Sequence, residues 1–265
     1  MEPFDFTFIA RRYERDAEVQ RGAAEILLDL LSIRSPEDVL DLGCGTGHFT
    51  ARLREITSGR VEGIDPASGM VEAARARFPA IPYRLGAAED LAYRDEFDVV
   101  FCNSAMQWFR DPAGALACCR RALRKGGRIG VQAPATSQYC PQFVSAMEAV
   151  ARHPATRDTF ARFRSPWFFL ESAQAYAEVF ERAGFAVRFS RIDEVPSTQD
   201  PDGALRVFES GAVAGYLGPR CYDAPVTETY ANDVRDIVKD WFREQAGAEG
   251  RLTLQFRRVF LVAVI

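Results

Sequence analysis

From residue 39 to residue 131, short β-branched and aliphatic runs alternate with segments of helical pattern, and this alternation constrains the fold more than any other property of the chain. Val39 to Leu42, Val61 to Ile64, Pro82 to Leu85, Phe97 to Phe101 and Arg128 to Val131 read as strands. Phe49 to Thr57, Ser68 to Phe78 and Pro112 to Leu123 read as the helices between them. Strands separated by helices require right-handed crossovers, and so a parallel sheet covered on both faces. Before the first strand, Ala17 to Leu31 presents Ile26, Leu27, Leu30 and Leu31 on one helical face that would lie over the sheet edge.

After residue 134 the pattern changes, with aromatics and arginines gathering at Tyr139, Phe143, Phe160, Phe163, Arg164, Trp167, Phe168 and Phe169. Ser172 to Ala183 then reads as a helix, with Ser172 as N-cap and Gly184 as its stop. Phe185 to Ile192 reads as a sixth strand, Asp202 to Gly215 and Thr227 to Gln245 as helices, and Leu252 to Ile265 as a seventh strand pairing antiparallel. The expected architecture is α/β: a doubly wound, mostly parallel, seven-stranded sheet in a single domain spanning 1–265. Within it, 1–36 would form an amino-terminal helical lid and 37–133 a ligand-binding core. Residues 134–170 and 195–250 would be helical and aromatic cap insertions, with 171–194 and 251–265 completing the sheet.

The sharpest local signal lies between the first strand and the first helix, Asp41-Leu42-Gly43-Cys44-Gly45-Thr46-Gly47. Without side chains at Gly43, Gly45 and Gly47 the backbone can turn tightly and approach a ligand, with helix-start amides facing it. Asp41 ends its strand at the carboxyl edge, where open α/β sheets bind ligands. Asp65 ends the next strand about twenty residues beyond the glycines, where a carboxylate can accept both hydroxyls of a ribose. A dinucleotide fingerprint would want a small residue where His48 stands, whereas the observed G-x-G-x-G fits a ligand carrying an amino acid in place of a pyrophosphate.

Across most of its length the chain resembles class I S-adenosylmethionine-dependent methyltransferases, whose sheet is Rossmann-like. Val39 to Gly47 looks like their first motif and Gly63 to Met70 like their second. Gly86 to Leu91 is similar to the adenine-contacting segment, Phe97 to Trp108 to the fourth strand and the segment beneath the sulfonium, and Leu123 to Arg128 to the turn before the fifth strand. The resemblance implies S-adenosyl-L-methionine as cofactor. Asp41, Gly43 and Gly45 would hold its methionyl part, Asp65 its ribose, and Met70, Ala88 and Glu89 its adenine. Tyr13, Arg21 and Asn103 would complete that site. Many relatives carry Asp or Asn where this chain has Ala87, so the adenine amino contact would pass to Glu89 or to backbone. Looser similarity, in Tyr13 to Arg21, Asn103 to Trp108 and Leu254 to Phe260, points to enzymes that methylate free carboxylates, the trans-aconitate and malonyl-carrier-protein methyltransferases.

The expected activity is therefore methylation of a small molecule, O-methylation of a carboxylate first, with N- or C-methylation or a non-catalytic cofactor-binding regulator as alternatives. A carboxylate is already ionised near neutrality and needs no general base. The chain has only two histidines, His48 and His153, and neither falls in a site segment. Asn103, Gln107 and Trp108 would position the acceptor, with no base assigned, and Tyr139, Arg164, Trp167 and Phe168 would line its pocket. Arg220, Arg257 and Arg258 are weaker choices, because an arginine on a strand usually faces water.

Composition and charge narrow the partners. A net charge of −4, from 33 basic and 37 acidic residues, argues against holding nucleic acid by phosphate neutralisation. Six scattered cysteines form no Cys-x-x-Cys pair, so no metal is expected. The start of the chain does not read as a secretory signal and no apolar run is long enough to span a bilayer. A cytoplasmic monomer or homodimer with no membrane or nucleic-acid partner is the resulting expectation.

Overall fold

The computed structural model describes the backbone of residues 18–265 and the side chains from residue 22 onward. Seven strands form one sheet: β1 (Val39–Leu42), β2 (Val61–Asp65), β3 (Tyr83–Leu85), β4 (Phe97–Asn103), β5 (Leu123–Pro134), β6 (Ala186–Gln199) and β7 (Leu252–Val264). Their order is β3-β2-β1-β4-β5-β7-β6. The first five run parallel, and β7 lies antiparallel between β5 and β6. The expected doubly wound, mostly parallel sheet of seven strands is the observed one.

The central strands β1, β2 and β4 are short and almost wholly buried because helices cover both faces. Alternate residues serve opposite sides. Val39, Val99 and Phe101 pack with α1 (Glu18–Leu31) and α2 (His48–Ile56), whereas Leu40, Val100 and Cys102 pack with α4 (Pro112–Ala122) and α7 (Ala173–Arg182). A third helix of the core, α3 (Ser68–Arg77), follows β2. Helix starts show the expected chemistry: Asp111 accepts the Gly114 amide at 3.0 Å and Ser172 the Ala175 amide at 3.1 Å, and Gly184 closes α7 with φ +86°.

Helix α1 departs from its expected placement. Ala24, Leu27, Leu28 and Leu31 bury against the sheet face with Val262 and Val99, while Ile26 remains 39% exposed. The face turned inward is rotated from the one the sequence pattern picked out, and it covers a sheet face instead of an edge.

Strand β7 pairs with β5 only from Val264 to Arg258, but with β6 along its full length. The ribbon therefore overhangs the carboxyl edge, carrying Leu252 to Arg257 beyond Pro134. Its inner side, Leu254 and Phe256, packs with α5 (Pro141–Arg152), α8 (Pro201–Glu209), α9 (Ala212–Tyr216) and α10 (Glu228–Gln245) in a separate apolar core. Residues 141–152 supply a helix within the expected cap, which departs from expectation at two points: β6 continues to Gln199, and the helix expected over 202–215 breaks at Ser210-Gly211. A short helix, α6 (Arg157–Phe160), precedes the aromatic segment. All six cysteines are buried and free. Among the described residues no helix is long and apolar enough to cross a membrane, and no group of three or more His, Cys, Asp or Glu could hold a metal ion.

Candidate active site

A continuous cavity runs along the carboxyl edge of the sheet, from the glycine loop and the ends of β2 and β3, across the segment after β4, to the cap. The loop is folded back onto β2. The Gly43 and Cys44 amides both donate to the Ile64 carbonyl, at 2.8 and 3.0 Å. Gly43, Gly45 and Gly47 have φ of +77°, +54° and +81°, a region where a β-carbon is disfavoured. At Gly43 space excludes one as well, since a Cβ there would stand 2.3 Å from that of Ala105. The loop is thus pressed against the segment that follows β4.

Two carboxylates sit behind this turn. Asp65 lines the cavity and accepts the Gly45 amide on Oδ2 and the Ala67 amide on Oδ1, both at 2.9 Å. Burial pushes its pKa up to about 6, with the two amides acting in the opposite direction. Asp41 accepts the Thr50 hydroxyl at 2.7 Å, and burial, with the nearby Asp65 charge adding to it, pushes it up to about 7. Asp41 is not part of the cavity wall, so its charge reaches the cavity through the loop and not by contact.

Beyond β2, Met70, Ala87, Ala88 and Glu89 line the same end. Glu89 Oε1 accepts the Arg110 and Asp111 amides at 2.8 and 3.3 Å, which ties this wall to the start of α4.

The segment after β4 divides the cavity. Ser104 has φ +54°, uncommon for a non-glycine residue, and is held by its amide donating to the Gln132 carbonyl at 2.7 Å. Its hydroxyl donates to Gln132 Oε1 at 3.1 Å, and Gln107 Nε2 donates to the Ser104 carbonyl at 2.8 Å. Asn103 Oδ1 and Gln107 Oε1 are buried in the cavity wall with no hydrogen-bond partner among the described residues. Buried polar atoms are rarely left so, and both are acceptors a bound molecule could satisfy.

The cap end is walled by Trp108, Tyr139, Phe143, Trp167, Phe169 and Phe256. Among them stands Arg258, only 3% exposed, in register with Pro134 on one side and Asp193 on the other. Its Nη1 donates to Ser104 Oγ at 3.3 Å and its guanidinium lies 5.8 Å from the centre of the Phe256 ring. Burial pushes the Tyr139 phenol well above its ordinary value, so it remains a protonated donor. Among the described residues no histidine lines the cavity.

Of the expected site residues, Gly43, Gly45, Asp65, Met70, Ala88, Glu89, Asn103, Gln107, Trp108, Tyr139 and Trp167 all come together here. Arg164 does not: it bonds Asp223 through both Nε and Nη2, and its side chain is 76% exposed. Phe168 does not line it either. Its amide donates to the Gln107 carbonyl at 2.8 Å while its ring packs edge-on against Tyr176, on the sheet side of the chain. Alternation along the extended segment turns Trp167 and Phe169 inward and Phe168 away. Tyr13 and the Arg21 side chain lie outside the described residues, and none of the described residues before Leu42 lines the cavity. His153 is exposed, and Arg257 pairs with Glu194 at 3.4 Å. The residue to which sequence reasoning gave too little weight is Arg258, a charge embedded in the apolar run from Leu252 to Ile265.

A positive-φ glycine cradle, a carboxylate at the end of the second strand and unsatisfied acceptors at and after the end of the fourth fit a nucleoside carrying an amino acid. Residues 40–131 match the family model described as a methyltransferase domain. Trans-aconitate 2-methyltransferase of Acidovorax ebreus is 28% identical over 261 residues, 95% of each chain. Malonyl-[acyl-carrier protein] O-methyltransferase of Serratia marcescens is 39% identical over 125 residues, 47% of this chain and 49% of the relative. The YcgJ protein of Bacillus subtilis shares the fold, with a TM-score of 0.62 at 16% identity over 92% of this chain and 98% of its own. Core, loop and relatives agree in supporting a class I S-adenosylmethionine-dependent methyltransferase.

Proposed function

We propose that this enzyme methylates a carboxylate oxygen of a small molecule. The observation that carries the reading is the buried Arg258 guanidinium, which lines the cavity beyond Ser104 and can pair with an acceptor carboxylate. The names of the relatives, one acting on trans-aconitate and one O-methylating a malonyl thioester, agree with this assignment.

S-adenosylmethionine supplies an electrophilic methyl group whose leaving group is a neutral thioether. The chain's own work is then to bind, align and exclude water. In this reading the Gly43 and Gly45 backbone holds the methionyl part, Asp65 accepts the ribose hydroxyls, and Met70, Ala88 and Glu89 enclose the adenine. Asp41 adds negative potential beneath the loop, favouring a cationic ligand. Asn103, Gln107 and Trp108 separate the two halves and orient the acceptor. With the cofactor bound, a carboxylate oxygen held here would form its bond to the methyl carbon as the carbon–sulfur bond breaks and the electron pair leaves on sulfur, so no residue of the chain would have to take a proton. The lack of a histidine in the cavity wall and the protonated state of Tyr139 suit a reaction that needs no base.

In this reading residues 37–133 would form the cofactor half and 134–170 with 195–250 the acceptor half of a single domain. A cytoplasmic monomer or homodimer, free of nucleic acid and membrane, completes the reading, and the net charge of −4 supports it. The test is an acceptor screen with methyl-labelled cofactor over carboxylic acids, phenols and amines. Label released as methanol by mild base marks an ester, and base-stable label would refute carboxylate methylation.

A further inference from the structure

Resting on that reading of carboxylate methylation, we infer that the acceptor is a monocarboxylate with a flat unsaturated or aromatic body, not a compact di- or tricarboxylate. Among the described residues, Arg258 is the only charged side chain in the acceptor half of the cavity wall; Arg110, the other arginine lining it, lies beside Glu89 at the adenine end. Two other arginines of this region are engaged away from the acceptor: Arg164 by Asp223 outside the cavity and Arg257 by Glu194.

Most of the rest of that half is aromatic and closely organised. Trp167 stacks on Phe169 with ring centres 5.8 Å apart and planes 14° from parallel. Tyr139 stands 5.8 Å from Trp167 and 5.2 Å from Phe169, and Trp108 is 5.8 Å from Trp167 on its other side. The wall is fixed from behind. Tyr216 meets Trp167 edge-on at 4.8 Å, and a Cβ at Gly215 would fall 2.1 Å from the indole ring, so the ring lies flush on the α9 backbone.

One guanidinium at the sheet edge neutralises one carboxylate and directs its oxygen toward the segment beneath the sulfonium. Any second or third carboxylate on a compact acceptor would stand against indole and phenyl faces, whose negative quadrupoles repel an anion and where no cation among the described residues compensates its lost hydration. A planar unsaturated body instead stacks on the same rings. In this reading the described cap residues, and not the cofactor core, set the acceptor specificity.

The decisive experiment compares cinnamate and sorbate with trans-aconitate and citrate as acceptors for the full-length protein, with phenol and aniline as references, following S-adenosylhomocysteine release and ester formation. We expect kcat/KM for cinnamate to exceed that for trans-aconitate at least tenfold. Equal or faster turnover of trans-aconitate or citrate overturns this inference while leaving carboxylate methylation standing. Methylation of phenol or aniline with no acid turned over overturns both. The same ranking is expected for equilibrium binding to the S-adenosylhomocysteine complex, read by tryptophan fluorescence, so a slow reaction does not leave the matter open. Trp167→Leu, checked for unchanged S-adenosylhomocysteine affinity, should lower cinnamate kcat/KM about tenfold, with Phe169→Leu as the second wall variant. If neither changes it, the aromatic wall does not select the acceptor.

Discussion

The Gly45 amide donates to Asp65 Oδ2 at 2.9 Å, so the end of β2 holds the middle of the glycine loop. Each Asp65 oxygen accepts one amide and keeps a lone-pair direction for a ligand hydroxyl. Asp65→Ala removes both the loop anchor and the ribose acceptor. Calorimetric titration should show cofactor affinity reduced by about 1–3 kcal/mol. Unchanged affinity would mean that the ribose lies elsewhere.

Because burial pushes Asp65 up to about 6, its ionisation falls within a measurable range. The charged form is the better acceptor of ribose hydroxyls, so cofactor affinity should hold above pH 7 and fall as pH drops through about 6. In Asp65→Asn that fall should disappear although affinity is lower throughout. Titrations between pH 5 and 8 test this, and an identical pH profile in the variant would assign the titration to another group.

Much of this arrangement could be read from the sequence because it is local. The glycine spacing, the acid at the end of the second strand and the alternation of Val39 with Leu40 or Val99 with Val100 depend on neighbours a few residues apart. The helix over 141–152 carries a readable signal too, in Phe143, Ala146, Met147 and Val150 on one face. Arg258 is different in kind. Whether an arginine on β7 faces water or the cavity depends on its register against Pro134 and Asp193, on strands more than sixty residues away, and a shift of one residue would turn it outward. Arg164 shows the converse: a cation among aromatics in sequence finds its partner, Asp223, outside the cavity.

Asp41 supplies a stability test. Its folded pKa of about 7 lies above the ordinary 3.8, so the folded chain holds that proton more tightly than the unfolded one. Its contribution to stability is then full below about pH 4 and is lost as pH rises through 7, a change on the order of 4 kcal/mol for three pKa units. Asp41→Asn keeps a carbonyl to accept the Thr50 hydroxyl and removes the titration. Denaturant unfolding of the cofactor-free protein at pH 5 and pH 8 should show a smaller difference in the variant than in the wild type, with cofactor affinity reduced. An equal pH dependence in both proteins would contradict the burial of that charge.

The two arginines should separate cleanly. Arg164→Ala removes a largely exposed pair with Asp223 and should alter stability by less than about 1 kcal/mol, leaving KM for the acceptor unchanged. Arg258→Lys keeps the charge but loses the planar fork, and should raise acceptor KM at least tenfold with cofactor affinity intact. Steady-state kinetics on the methylated acid decide the matter, and comparable KM effects at the two positions would remove Arg258 from acceptor binding.

Gly43 and Ala105 meet where the loop closes on the segment after β4, and there two separable costs fall on Gly43→Ala. The backbone must hold φ +77° with a β-carbon present, about 1–2 kcal/mol, and that carbon would stand 2.3 Å from the Ala105 methyl. Ala105→Gly removes the collision but not the backbone strain. Thermal unfolding of the two single variants and the double should therefore show a large loss for Gly43→Ala and partial recovery in the double, a coupling beyond the roughly 0.5 kcal/mol expected of independent sites. Cofactor affinity should follow the same order, since the loop amides are displaced by the collision and return when it is relieved. Strict additivity of the two substitutions would show that the loop shifts away from Ala105 without resistance, and that contact would then have no part in shaping the cofactor cradle.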